Sequence, residues 1–171
     1  MEQIELDEID LRLLDQLQRD ASLSNQELAQ RAFTSAPTCL RRLKRLVEAG
    51  VIEQQIAVLS ADTLAPTLGY GLTAVVEITL DRQGAEWLDA FEQRVLPDDG
   101  VQQCYRVSPG PDFILVVHAR DMPHYHALAQ RLFTSDANVR NVKAFFSVKR
   151  AKFGAQLPLR QPQLTPVAGK S

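Results

Sequence analysis

The stretch TSAPTCLRRLKRLVEAGVI packs four cations, Arg41, Arg42, Lys44 and Arg45, into five residues. Guanidinium forks fit phosphate oxygens and guanine edges, so such a cluster could hold a polyanion. On the wet side of a helix the same residues would do no more than solvate it. The formal net charge is −2, which excludes a protein that coats nucleic acid through bulk positive charge. Any polyanion contact must be a local patch.

Other reactive side chains are sparse. The three histidines are His118, His124 and His126. The last two stand two apart near a helix start and miss the i, i+4 face of a helical metal pair, which makes them solvent-facing or structural. The sequence holds neither a GxSxG elbow, nor a GxxxxGK phosphate loop, nor a dinucleotide fingerprint, so no catalytic residue, metal or cofactor is nominated. Cys39 and Cys104 lie far apart with no CxxC nearby, which argues against a disulfide framework and for a reducing compartment. Cys39 beside cations at a helix start is open to three roles: a redox switch, packing, or base contact. The opening MEQIELDEID lacks a basic and an apolar region, and no run approaches the ~18 apolar residues of a membrane span. A soluble cytoplasmic protein is expected.

Three short helices must position the cations. DEIDLRLLDQLQRD places Ile9, Leu13, Leu14 and Leu17 on one stripe, with acids in the first turn where they complement the helix dipole. SLSNQELAQRA offers Ser24 as N-cap with Glu27 three residues on, a capping box, and Leu28, Ala29 and Ala32 as its buried side. Ser35 then caps a third helix whose second residue is Pro37 and which Gly50 ends. On it Leu40, Leu43, Leu46 and Val47 form the expected apolar stripe, and Thr38, Arg41, Arg42 and Arg45 the opposite face. Two short helices joined by a tight turn, the second basic outside, describe a helix-turn-helix. Ser35, Pro37, Thr38 and Cys39 would face base edges, Arg41, Arg42 and Arg45 would reach guanines or phosphates, and Ser24 and Asn25 join this DNA-facing set. VIEQQIAVLS alternates enough to be a strand, a wing or a hinge.

The rest changes period. ADTLAPTLG reads as a turn-rich connector. YGLTAVVEITL alternates with Leu72, Ala74, Val76, Ile78 and Leu80 on one face. AEWLDAFEQRVL has Trp87, Leu88, Phe91 and Val95 at helical spacing, and MPHYHALAQRLF turns Met122, Tyr125, Leu128 and Leu132 inward. With VQQCYRV, DFILVVHA and VRNVKAFFSVKR as strands, the order is β-α-β-β-α-β, a ferredoxin-like antiparallel sheet with both helices on one face. The overall class is α+β. The bare sheet face, and the near-continuous apolar strand FILVVHA, call for a second copy, hence a homodimer. The expected division is 1–52 helix-turn-helix, 53–69 linker strand and connector, 70–153 ligand-binding and oligomerisation domain, and 154–171 a mobile proline-punctuated tail.

LDEIDLRLLDQLQRDASLSNQELAQRA, PTCLRRLKRLVEAGVI, VEITL, RVSPGPDFILVV and MPHYHAL, in this order, resemble the leucine- and asparagine-responsive regulators, the Lrp/AsnC family, from about Leu6 to Lys152. The resemblance implies a bacterial or archaeal transcription factor: a winged helix-turn-helix on double-stranded DNA, joined to an amino-acid-sensing domain that dimerises and assembles into octamers or other multimers. It implies that the linker around Ile52 to Leu59 pairs between protomers. It also implies that a small amino acid binds between dimers near SPGPD, with Asp112 at the family's acidic position, Ser108 as the hydroxyl residue, and Gly110 one place after Pro109. Many relatives carry threonines in the last strand where this chain has Val142 and Ala144, which favours either leucine, methionine or another apolar effector, or no effector at all. Phe33 and Thr34 replace the usual glycine-then-aliphatic turn, and Phe33 needs cover. Sirohaem decarboxylases, which share this two-domain build, and an amino-acid sensor acting through protein partners are the alternatives. A carboxylate capping its own turn is the other reading of Asp112.

Overall fold

The computed structural model describes residues 4–69 and 71–159. The chain forms two compact units: one runs to Ala57 and takes up the chain again from Lys152, and the other is Val58–Ala151. The expected linker, 53–69, is thereby divided between them.

The first unit holds α1 (Glu8–Leu17), α2 (Asn25–Arg31) and α3 (Ala36–Glu48). Each start is fixed by a side chain that satisfies orphan N–H groups. Asp7 caps α1 reciprocally with Asp10, Ser24 caps α2 reciprocally with Glu27, and Ser35 accepts from the Thr38 N–H. The ends are equally local. After α3, Gly50 at φ 69° lets its N–H reach Val47 O while Val51 N–H reaches Leu46 O, which closes the helix. The same pair of hydrogen bonds closes α2, from Phe33 N–H to Gln30 O and Thr34 N–H to Ala29 O, with Phe33 at φ 55° in the place glycine usually takes. The core beneath is Leu13, Leu28, Ala29, Ala32 and Cys39, with Ile9, Leu17, Leu23 and Leu43 packed against it.

Three expectations for this unit are corrected. Leu40 and Val47 are 61% and 54% exposed, so the buried side of α3 is Cys39, Leu43 and Leu46. Phe33 finds no cover, being 81% exposed with only the Arg12 guanidinium 5.8 Å from its ring centre. Within a single chain residues 51–60 form no wing strand, having no ladder partner, and the pairing expected of 52–59 is with a second protomer; Ile56 of this unit, like Val58 and Leu59 beyond it, is exposed. The tail too departs from expectation. Residues 154–159 lack regular structure, yet Gln18 Nε2 donates to Leu157 O and Leu157 N–H donates to Gln18 Oε1, each at 2.9 Å. The remainder of the expected mobile tail lies outside the described residues.

In the second unit the expected connector is a helix, α4 (Ala61–Leu68). Ser60 accepts from Thr63 N–H, and Gly69 at φ 72° returns its N–H to Ala65 O, so cap chemistry outweighs Pro66 near the end of the helix. Then follow β1 (Leu72–Leu80), α5 (Ala85–Val95), β2 (Val101–Arg106), β3 (Phe113–Ala119), α6 (Met122–Ala129) with a π-helical turn Gln130–Thr134, and β4 (Val139–Phe146). The sheet is antiparallel in the order β2-β3-β1-β4, as the ferredoxin-like reading requires. Val76 pairs with Leu115 and Ala144, which sets every second residue on one face. That face buries Val76, Ile78, Leu80, Phe113, Leu115 and Val117 against Phe91 and Val95 of α5, Tyr125 and Leu128 of α6, and Phe133. Met122, expected inward, is 39% exposed at the first turn of α6. The opposite face leaves Val75, Tyr105 and Phe145 exposed, with Ile114 and Val116 half-buried between them. Among the described residues no helix is long and apolar enough to cross a membrane.

Candidate nucleic-acid interface and effector loop

Helix α3, which the sequence marks as the expected reading helix, is held by a carboxylate that reads in the sequence only as a first-turn complement to the α1 dipole. Asp10 is fully buried, on the α1 flank that meets α3. A carboxylate removed from water requires partners, and it has three. Its Oδ1 accepts from Arg42 Nη1 at 2.9 Å, its Oδ2 from Arg45 Nη2, and the Asp7 N–H donates to Oδ2 at 3.2 Å. Arg42 Nη1 also reaches Asp7 Oδ2 at 2.7 Å. The Asp7 carboxyl is held below the ordinary carboxylate range, first by the Asp10 N–H and next by Arg42; Arg42 is raised, first by Asp10.

This network sorts the cations. The Arg42 side chain is 19% exposed and committed to two carboxylates, so its expected DNA contact is corrected: it ties α3 to α1. Arg45 is 47% exposed and attached to Asp10 by one nitrogen, which leaves its other guanidinium nitrogens without a carboxylate among the described residues. Lys44 is open, with a loose 3.7 Å pair to Glu48. Arg41 is exposed and has no ion-pair partner among the described residues. At 100° per residue Pro37, Arg41, Lys44 and Glu48 share the side of α3 opposite Cys39, the outermost face.

The neutral candidates divide likewise. Cys39 is buried in the core and cannot meet a base edge; burial pushes its thiol up, against a redox switch. Ser24 is engaged with Glu27, and Asn25 Nδ2 donates to Ala36 O at 2.9 Å, tying α2 to the start of α3. Ser35 donates to Thr38 Oγ1 at 2.8 Å at the head of the helix, where Pro37 stands exposed. Lys44, counted in the basic cluster, was left out of the DNA-facing set, and buried Asp10 was missed. An acid pair at positions 7 and 10, opposite a basic helix, was the available signal.

The other candidate site is the β2–β3 loop. Asp112 Oδ2 accepts the Leu80 N–H at 2.6 Å, Asp112 N–H donates to Ile78 O at 2.9 Å, and Val107 N–H donates to Asp112 O at 3.0 Å. Asp112 thus bonds to the end of β1, where the β1–β4 register shifts. Ser108 and Gly110 are exposed in the same loop, and Gly110 has φ 120°. Val142 and Ala144 pack against the helix-covered core, so their lack of hydroxyls belongs to the core. Burial lowers His118, and the Arg120 N–H donates to His124 Nδ1 at 3.2 Å. Among the described residues no group of three His, Cys, Asp or Glu could hold a metal ion.

Comparison with known proteins identifies the family of each unit. Residues 6–53 match the winged helix-turn-helix DNA-binding family model, and 73–157 the Lrp/AsnC ligand binding domain. The leucine-responsive regulatory protein of Rhizobium meliloti is 35% identical over 91% of this chain and 97% of its own. The DNA-binding transcriptional activator DecR of Escherichia coli K12 is 32% identical over 90% of this chain and 99% of its own. Among solved structures, a transcriptional regulator from Neisseria meningitidis in complex with L-Met is similar at TM-score 0.80 and 29% identity, over 91% of this chain and 97% of that one.

Proposed function

Because the chain belongs to the Lrp/AsnC family of transcriptional regulators, we infer that it is a DNA-binding regulator whose operator contacts run through the outer face of α3 and whose activity answers to an amino acid. The observation that carries this is Arg41, a guanidinium with no ion-pair partner among the described residues, on the outermost face of a helix whose other two arginines are anchored to Asp10. Arg41 and Lys44 take phosphates or guanine edges, Pro37 and Thr38 lie against bases near the helix start, and Arg45 adds a phosphate contact. Ser35 aligns the first turn. A dimer presents two such helices to successive major grooves, so the site is a pseudo-palindrome with half-site centres ~34 Å apart.

The second copy covers the open sheet face, Val75, Tyr105 and Phe145 included, and such dimers assemble further, an octamer being the favoured form. The effector binds at the Ser108–Asp112 loop, where Asp112 Oδ1 meets its ammonium group while Oδ2 holds Leu80. Methionine or leucine is preferred on the relatives' names and the Neisseria complex. Bound amino acid favours one assembly state, and DNA alters amino-acid affinity by the same factor. The protein works as a cytoplasmic regulator and not as an enzyme. Anisotropy binding to a fragment from upstream of its own gene, with and without methionine and leucine, tests the reading. Nanomolar-range binding shifted by one amino acid supports it, and no binding at low salt sinks it.

A further inference from the structure

We propose that Asp10 is a positioning residue of the reading head: from inside the domain it holds one edge of Arg45 so that the other edge is aimed outward at a phosphate. This rests on the reading of α3 as the DNA-facing helix. Asp10 is fully buried, and both its oxygens are taken, Oδ1 by Arg42 and Oδ2 by Arg45 and the Asp7 N–H. Arg42, 19% exposed and bonded to Asp7 and Asp10, is the fixed anchor. Arg45 is half out of the domain and meets Asp10 through Nη2 alone.

A guanidinium is planar and carries five donors, so a carboxylate on one edge leaves donors on the other for a second anion. A free arginine on a helix surface gives up rotamer freedom when it meets a phosphate; one already held by a buried carboxylate has given it up on folding. Asp10 therefore raises DNA affinity without touching DNA. Arg42 acts through its bonds to Asp7 and Asp10, whereas Arg41 and Lys44 touch DNA without this support.

The test is a double-mutant cycle on DNA affinity across a salt series, with full-length Asp10→Asn, Arg45→Ala and the double variant, each melted first and assayed well below its midpoint. Arg45→Ala is expected to flatten the salt slope by about one. Asp10→Asn is expected to weaken binding about three- to tenfold when Arg45 is present and to change nothing further once Arg45 is removed. Equal weakening in both backgrounds, or none in either, would overturn the proposal. Arg45→Lys guards against an Asp10 variant that does not fold: it keeps the charge and the salt slope but lacks a second edge, and is expected to bind several-fold more weakly. Native-like affinity of Arg45→Lys would also overturn it. If Arg41→Ala leaves affinity and slope unchanged, the DNA-facing reading of α3 fails instead.

Discussion

Asp10, with no exposed surface, and Arg42, on the helix that carries the basic cluster, meet at 2.9 Å across the α1–α3 contact. Removing either partner leaves a charge poorly paired in the interior. Breaking a buried pair this way costs about 3–5 kcal/mol, and the partial exposure of Arg42 places Asp10→Ala toward the low end. Arg42→Ala, which leaves the buried carboxylate with Arg45 and the Asp7 N–H alone, is expected to be the worse of the two. Denaturation followed by far-UV circular dichroism will resolve the loss in the first unit. The fluorescence of Trp87, the sole tryptophan, sits in the other unit and should barely move. A variant that melts like the native chain would remove the clamp from this account.

Phe33 holds φ 55° and is 81% exposed at the end of α2. A side chain in the left-handed region costs about 1–2 kcal/mol that glycine avoids, and the exposed Arg12 contact returns about 0.5 kcal/mol. Phe33→Gly should therefore stabilise the first unit by about 1 kcal/mol, seen as a higher melting temperature. A lower one would show that the ring supports the turn.

Asp112 separates its two assigned roles by substitution. Asp112→Ala leaves the Leu80 N–H without its acceptor and should cost about 1–2 kcal/mol in the second unit, followed through Trp87. Asp112→Asn keeps an acceptor oxygen and should recover most of that stability while losing the response to an amino acid, since the ammonium partner is gone. An Asn variant that responds normally would place the effector elsewhere.

Acid should loosen the first unit in a defined window. Asp7 is lowered, first by the Asp10 N–H bond, and Glu27 is lowered, first by the Ser24 hydroxyl. A carboxyl with a depressed folded value binds its proton more readily when unfolded. Its contribution is thus complete above the ordinary value of about 4 and is lost as pH falls through the folded value. The melting temperature of this unit should hold from neutral pH to about 5 and drop below it. Asp7→Asn/Glu27→Gln should start lower and fall less steeply; an unchanged slope would contradict the assignment.

The parts legible in the sequence are those fixed by neighbours in the chain. Ser24 with Glu27 and Ser35 before Pro37 announce helix starts because caps act within three residues, and the alternation from Leu72 to Leu80 announces a sheet with one buried face. What escaped depends on partners far away. An acid at position 10 looks like a dipole complement until α3 brings two arginines over it, and with Arg42 drawn inward the apolar stripe turns away from Leu40 and Val47. Pro66 disguised α4, although Ser60 and Gly69 bracket it as caps. The basic cluster was legible as a patch, but not its division into anchors and free cations.

The most direct test of the central claim is the salt dependence of binding to the upstream fragment, native chain against Arg41→Ala/Lys44→Ala. Each lost phosphate contact lowers the slope of log affinity against log salt by about one, so the double variant should bind more weakly with a slope shallower by about two. A double variant that keeps both native affinity and native slope would contradict the assignment of the outer face of α3 as the DNA-binding surface.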